Sequence, residues 1–137
     1  MTRTAAALLL LAYSYVVVRL TLEPASAGMW AFSLADRIAT RTSGGQLQWS
    51  QTEVLANVAL FVPAGFLLAV VLGRPWLAAA LCVVTSAGIE VVQYTSLPSR
   101  VGSVLDVEHN ALGGLIGAAV AWPLIAAFSR RPSTSVD

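Results

Sequence analysis

Four long apolar stretches, separated by polar breaks, set the pattern of this chain: residues 4–22, 54–72, 76–94 and 104–128. Each is close to the ~20 residues that carry a helix across ~30 Å of hydrocarbon. The pattern predicts an all-α polytopic membrane protein. It would be a four-transmembrane-helix bundle, a single domain over residues 1–129 followed by a polar tail at 130–137. The breaks are unequal. Gly73-Arg74-Pro75 is a tight turn, Ser96 to Ser103 joins the third and fourth spans, and residues 23–52 form a longer polar loop. Within that loop Trp30, Leu34 and Ile38 recur at i, i+4, i+8, while Asp36, Arg37 and Arg41 point elsewhere. This spacing predicts a short amphipathic helix lying in the membrane interface, with Trp30 and Trp49 as headgroup anchors. Thr42-Ser43-Gly44-Gly45 ends it, and Ser50-Gln51-Thr52-Glu53 reads as a capping box opening the second span. Pro63 lies inside that span, where its missing N–H frees a carbonyl and bends the helix.

Composition supports the pattern. Of 137 residues, 57% are hydrophobic and 11% charged, against roughly 25% charged in soluble domains. The eight basic residues are all arginine and the net charge is +1, so no basic patch points to nucleic acid. Cys82 is the single cysteine and sits inside an apolar run, where it reads as a small packing residue. Arg3, Arg74, Arg130 and Arg131 fall on one side of a four-span bundle; Arg37, Arg41 and Arg100 fall on the other, with Arg19 near that end. The first side has the short loops to which the positive-inside rule applies best. That places both termini in the cytoplasm and makes the chain a multi-pass protein of the cytoplasmic membrane. A competing reading takes Arg3, the first apolar run and Ala25-Ser26-Ala27 as a cleaved secretory signal; Arg19 and the length of the run speak against it.

Polar groups enter the spans at one end. Ser86, Glu90 and Gln93 share one face of the third at i, i+4, i+7. Asp106, Asn110, Gly113 and Gly117 share one face of the fourth, and Glu53 and Asn57 are i, i+4 in the second. The second span starts, the third ends and the fourth starts on the same side, so all three faces reach one depth. An ionisable residue inside a membrane needs a partner and marks function by default. Arg100 is the best partner for Glu90, because its planar fork grips carboxylate or phosphate. Two readings stay open: a structural pair of Arg100 with Glu90 or Asp106, or a site for a charged headgroup or proton transfer. Asp106 also fits a helix-capping role with Ser103. Asn57 and Asn110 fit interhelical hydrogen bonding, and His109 a surface or interface position. Gly113 and Gly117 permit close helix approach, either within the bundle or in an oligomer, and Ala121 extends their face. Metal-ligand spacing, a Gly-rich phosphate loop and a nucleophile elbow are absent, so no cofactor or metal is predicted.

At these residues the chain resembles the VanZ-like family of small bacterial membrane proteins. The matching pieces are Asn57-Val-Ala-Leu-Phe61-Val-Pro63-Ala-Gly65-Phe66, then Glu90-Val-Val-Gln93, then Arg100 followed by Asp106, Asn110, Gly113 and Gly117. They cover about residues 54–120; the first span and the loop at 23–52 add nothing diagnostic. The family pattern has an acidic residue three positions after the arginine, where this chain has Ser103. The resemblance implies an envelope role, and the family name derives from low-level resistance to the glycopeptide antibiotic teicoplanin.

Three functions are compatible with the residues. In the first, Asn57, Glu90, Gln93, Arg100, Asp106 and Asn110 line an outward-facing polar pocket. It would bind an anionic group of a membrane lipid, a lipid-linked cell-wall precursor or a lipoglycopeptide. In the second, the chain is a membrane enzyme acting on a lipid-linked substrate, with Glu90 or Asp106 as acid or base. In the third, it is a structural or assembly subunit whose polar groups only lock the bundle.

Overall fold

The computed structural model describes residues 2–22, 25–46, 48–97 and 103–129. Five helices follow in order: α1 (Arg3–Leu22), α2 (Ala25–Ser43), α3 (Trp49–Leu72), α4 (Pro75–Ser96) and α5 (Val104–Ser129). No strand occurs among the described residues. α1, α3, α4 and α5 are long and apolar enough to cross a membrane, at Arg3–Leu22, Ser50–Leu72, Pro75–Ser96 and Val104–Ala127. The chain is an all-helical membrane protein.

The distribution of side chains matches a hydrocarbon solvent. Leu8, Leu11, Val84, Leu115, Val120 and Trp122 are exposed, whereas Ser86, Gln93 and Asn110 are buried. A water-soluble monomer rarely leaves apolar patches of more than a few hundred Å² uncovered. In lipid, helices gain nothing hydrophobic by associating, so small residues and interhelical hydrogen bonds must hold the bundle.

α3 and α5 form the centre, α4 packs on both, and α1 lies against α3 with only slight contact to α4. The α3–α5 crossing is backbone against backbone. A Cβ on Gly113 would strike the Val58 carbonyl, one on Gly117 the Val62 carbonyl, and one on Gly65 the Gly114 carbonyl. The Gly113/Gly117 face is thus filled by α3 of the same chain. Gly114 makes room for Cys82 of α4, whose Cβ would lie 2.5 Å from an added methyl. Below the crossing, Ala69, Ala78, Ala118 and Ala121 pack together, all but Ala118 without exposed surface. Above it, Val17, Phe61, Cys82 and Ile89 join α1, α3 and α4.

The connections follow local chemistry. Gly73 ends α3 at φ 65°, a left-handed conformation that favours glycine, and its N–H donates to Ala69 O at 2.8 Å. Pro75 at the start of α4 has no N–H to leave unsatisfied. Inside α3, Pro63 deprives the Ala59 carbonyl of its donor, and the Tyr13 hydroxyl of α1 donates to the adjacent Leu60 O at 2.8 Å.

Two local expectations are corrected. α3 opens at Trp49 with Gln48 as N-cap, and Gln51 Oε1 reaches back to the Gln48 N–H at 2.9 Å. The expected box at Ser50–Glu53 therefore lies two residues too far into the chain. α2 is not short; it fills Ala25–Ser43 and packs against α1 and α3. Its apolar stripe of Trp30, Leu34 and Ile38 is exposed.

Candidate functional site

The polar groups gather where α4 ends and α3 and α5 begin. Ser103 precedes α5, and its hydroxyl accepts the Leu105 N–H at 3.2 Å, a helix cap that satisfies one orphan donor. Its own N–H donates to Glu90 Oε2 of α4 at 2.7 Å. The Glu90 carboxylate thereby sits at the N-terminus of α5, where the helix dipole favours negative charge. One turn into α5, Asp106 Oδ1 accepts a hydrogen bond from Asn57 Nδ2 of α3 at 2.8 Å. Asn57, Glu90, Ser103 and Asp106 are all half-buried. Capping falls to Ser103, and Asp106 faces α3.

A second pair lies one turn deeper. Asn110 Nδ2 donates to Ser86 Oγ at 2.9 Å, and both residues are buried. Asn110 Oδ1 and the neighbouring His109 Nδ1 are buried without a hydrogen-bond partner among the described residues. His109 is half-buried.

Gln93 does not join this cluster. Its Nε2 donates to Thr21 O of α1 at 2.8 Å, and both residues are buried. The Ser86–Glu90–Gln93 stripe is therefore split three ways: Ser86 to α5, Glu90 to the Ser103 amide, and Gln93 to α1. Glu53 is exposed on α3. Arg100 lies outside the described residues. Thr21 and Tyr13 of α1 were missed by sequence reasoning. Both hydrogen-bond to backbone carbonyls or through their own, which no spacing rule reveals.

Chemically, the cluster offers two carboxylates, each already receiving an N–H, beside amide groups at the rim of an apolar bundle. That arrangement suits holding a polar group at a fixed depth. Among the described residues no three His, Cys, Asp or Glu side chains come close enough to hold a metal ion.

The sequence model of the VanZ/LLP1 family matches residues 7–127. The chain belongs to the VanZ/LLP1 family. No curated protein and no solved structure matches it. The VanZ/LLP1 match takes in α1 and α2 as well as the α3–α5 unit. The α1 contacts through Tyr13 and Gln93 thus lie inside the region shared by the family. In this VanZ/LLP1 chain Ser103 stands where an acidic residue was expected, and both its hydroxyl and its amide are used to fasten α4 to α5.

Proposed function

We propose that this end of the bundle binds the anionic head of a lipid-linked or lipidated ligand at the outer face of the cytoplasmic membrane. Arg100 grips the anion; Asn57, Glu90, Asp106 and Asn110 orient it. Gln93 supports the site from behind by holding α1. The role is envelope protection of the teicoplanin-resistance kind. Both termini are cytoplasmic in this arrangement, and α2 lies in the outer interface with Trp30, Leu34 and Ile38 in the lipid. The observation that carries the reading is two half-buried polar pairs at one end of the bundle, Asn57 with Asp106 and Glu90 with the Ser103 amide. A purely structural lock gains most when its polar groups are fully withdrawn from solvent, as Ser86 and Asn110 are.

The test is teicoplanin sensitivity of cells expressing wild type, Arg100→Ala and Glu90→Gln at equal membrane abundance. Protection by wild type that both variants lose supports a working site. Variants that protect as well as wild type leave the cluster a structural lock. A wild type that protects nothing removes the glycopeptide role.

A further inference from the structure

A cavity of about 530 Å³ lies between α1, α3 and α4, apart from the polar cluster. Buried Val17, Phe61, Cys82 and Ile89 form its floor, and exposed Val18, Gly88 and Val92 stand on its rim. Its Tyr13 hydroxyl is already committed to Leu60 O. At 1.5 Å per residue, the wall from Leu10 to Leu22 runs about 18 Å. That is close to one leaflet, half of the ~30 Å hydrocarbon core.

Gly88 shows what the cavity lacks. The glycines at 65, 113, 114 and 117 are each explained by an atom that a Cβ would hit. At Gly88 nothing lies within 4 Å of that position. A mid-helix glycine is a poor helix former, and no contact within the chain requires this one. It keeps the α4 wall flat along the cavity.

The cavity also ends in the right place. Leu22, Ile89 and Val92 line its upper part; Glu90 of the polar cluster is the chain neighbour of Ile89, and the Gln93–Thr21 hydrogen bond ties α4 to α1 beside it. A helix of ~10 Å diameter could enter it only in part. We infer that the α1–α3–α4 cleft receives the single hydrocarbon chain of the same ligand whose anionic head the polar cluster takes. This inference rests on the proposed head site for its upper end. Its apolar walls and its length belong to the cleft alone.

The test uses full-length protein in phosphatidylcholine vesicles and hexadecyl phosphate carrying a diazirine in its chain. Saturable photolabelling should concentrate on the cleft rim, at residues such as Val18 and Val92. Gly88→Leu places a side chain in free space and replaces a poor helix former, so it should not lower thermal stability in detergent. It displaces about two methylenes of the bound chain, which corresponds to a roughly tenfold weaker affinity. Labelling spread evenly over Leu8, Leu11 and Leu115, and indifferent to Gly88→Leu, overturns the cleft site. Saturable labelling lost in Arg100→Ala but kept in Gly88→Leu upholds the head site and overturns the cleft. Loss in Gly88→Leu alone upholds the cleft and overturns the head site.

Discussion

One pair of substitutions isolates the force that holds the bundle together. Gly117→Ala and Gly88→Ala make the same chemical change in the interior of a membrane-spanning helix. At both sites the helix propensity of alanine favours the variant by about 1 kcal/mol, so this contribution cancels when the two are compared. What remains is steric. At Gly117 the new methyl meets the Val62 carbonyl and lies 2.7 Å from Phe66 N. Both are backbone atoms that cannot rotate away, so the upper part of the usual overpacking range, about 3 kcal/mol, applies. At Gly88 the methyl meets nothing within 4 Å. Gly88→Ala should therefore stabilise by about 1 kcal/mol and Gly117→Ala destabilise by about 2 kcal/mol. Reversible unfolding from mild detergent into sodium dodecyl sulfate, followed by circular dichroism, measures both. If the two variants unfold within about 1 kcal/mol of each other, α3 and α5 do not cross backbone to backbone and the packing argument fails.

The hydrogen bonds can be tested in the same assay. A double-mutant cycle on Asn57→Ala and Asp106→Ala should give a coupling of about 0.6 kcal/mol, the average for side-chain hydrogen bonds between membrane helices, and no more than about 1.7 kcal/mol; strict additivity would count against the bond. Glu90→Gln keeps an acceptor for the Ser103 N–H, while Glu90→Ala removes it. Hydrogen exchange at the Ser103 amide should therefore accelerate in Glu90→Ala and stay near wild type in Glu90→Gln.

The four spans were legible because hydrocarbon thickness constrains a chain more strictly than any other solvent. The expected stretches at 54–72 and 76–94 differ from the observed spans Ser50–Leu72 and Pro75–Ser96 by at most four residues at each end. The start of α3 was misplaced because glutamine is not among the preferred capping residues, and Gln48 and Gln51 carry no signal as strong as Ser50 and Glu53. α2 was legible in character through Trp30, Leu34 and Ile38, but not in length, since Ala25 to Gly28 bears no amphipathic mark. For the site, helical spacing placed Asn57 and Asp106 together correctly. It also grouped Ser86, Glu90 and Gln93 on one face, yet a face about 100° wide touches more than one neighbour. Which helix receives each group is decided by packing: Gly113 and Gly117 draw α5 to α3, and this leaves Gln93 turned toward α1.

The long reach of the Gln93–Thr21 hydrogen bond bears on how the protein is made. Thr21 leaves the ribosome 72 residues before its partner, an interval of about 4–14 s at ordinary elongation rates. The Leu60 carbonyl that receives Tyr13 emerges earlier but still 47 residues later. Until Leu60 follows, the Tyr13 hydroxyl lacks the acceptor that it has in the finished fold. The anchor of the first span on α4 can form only once Gln93 has been made, and a chain stalled before α4 would leave Thr21 without it.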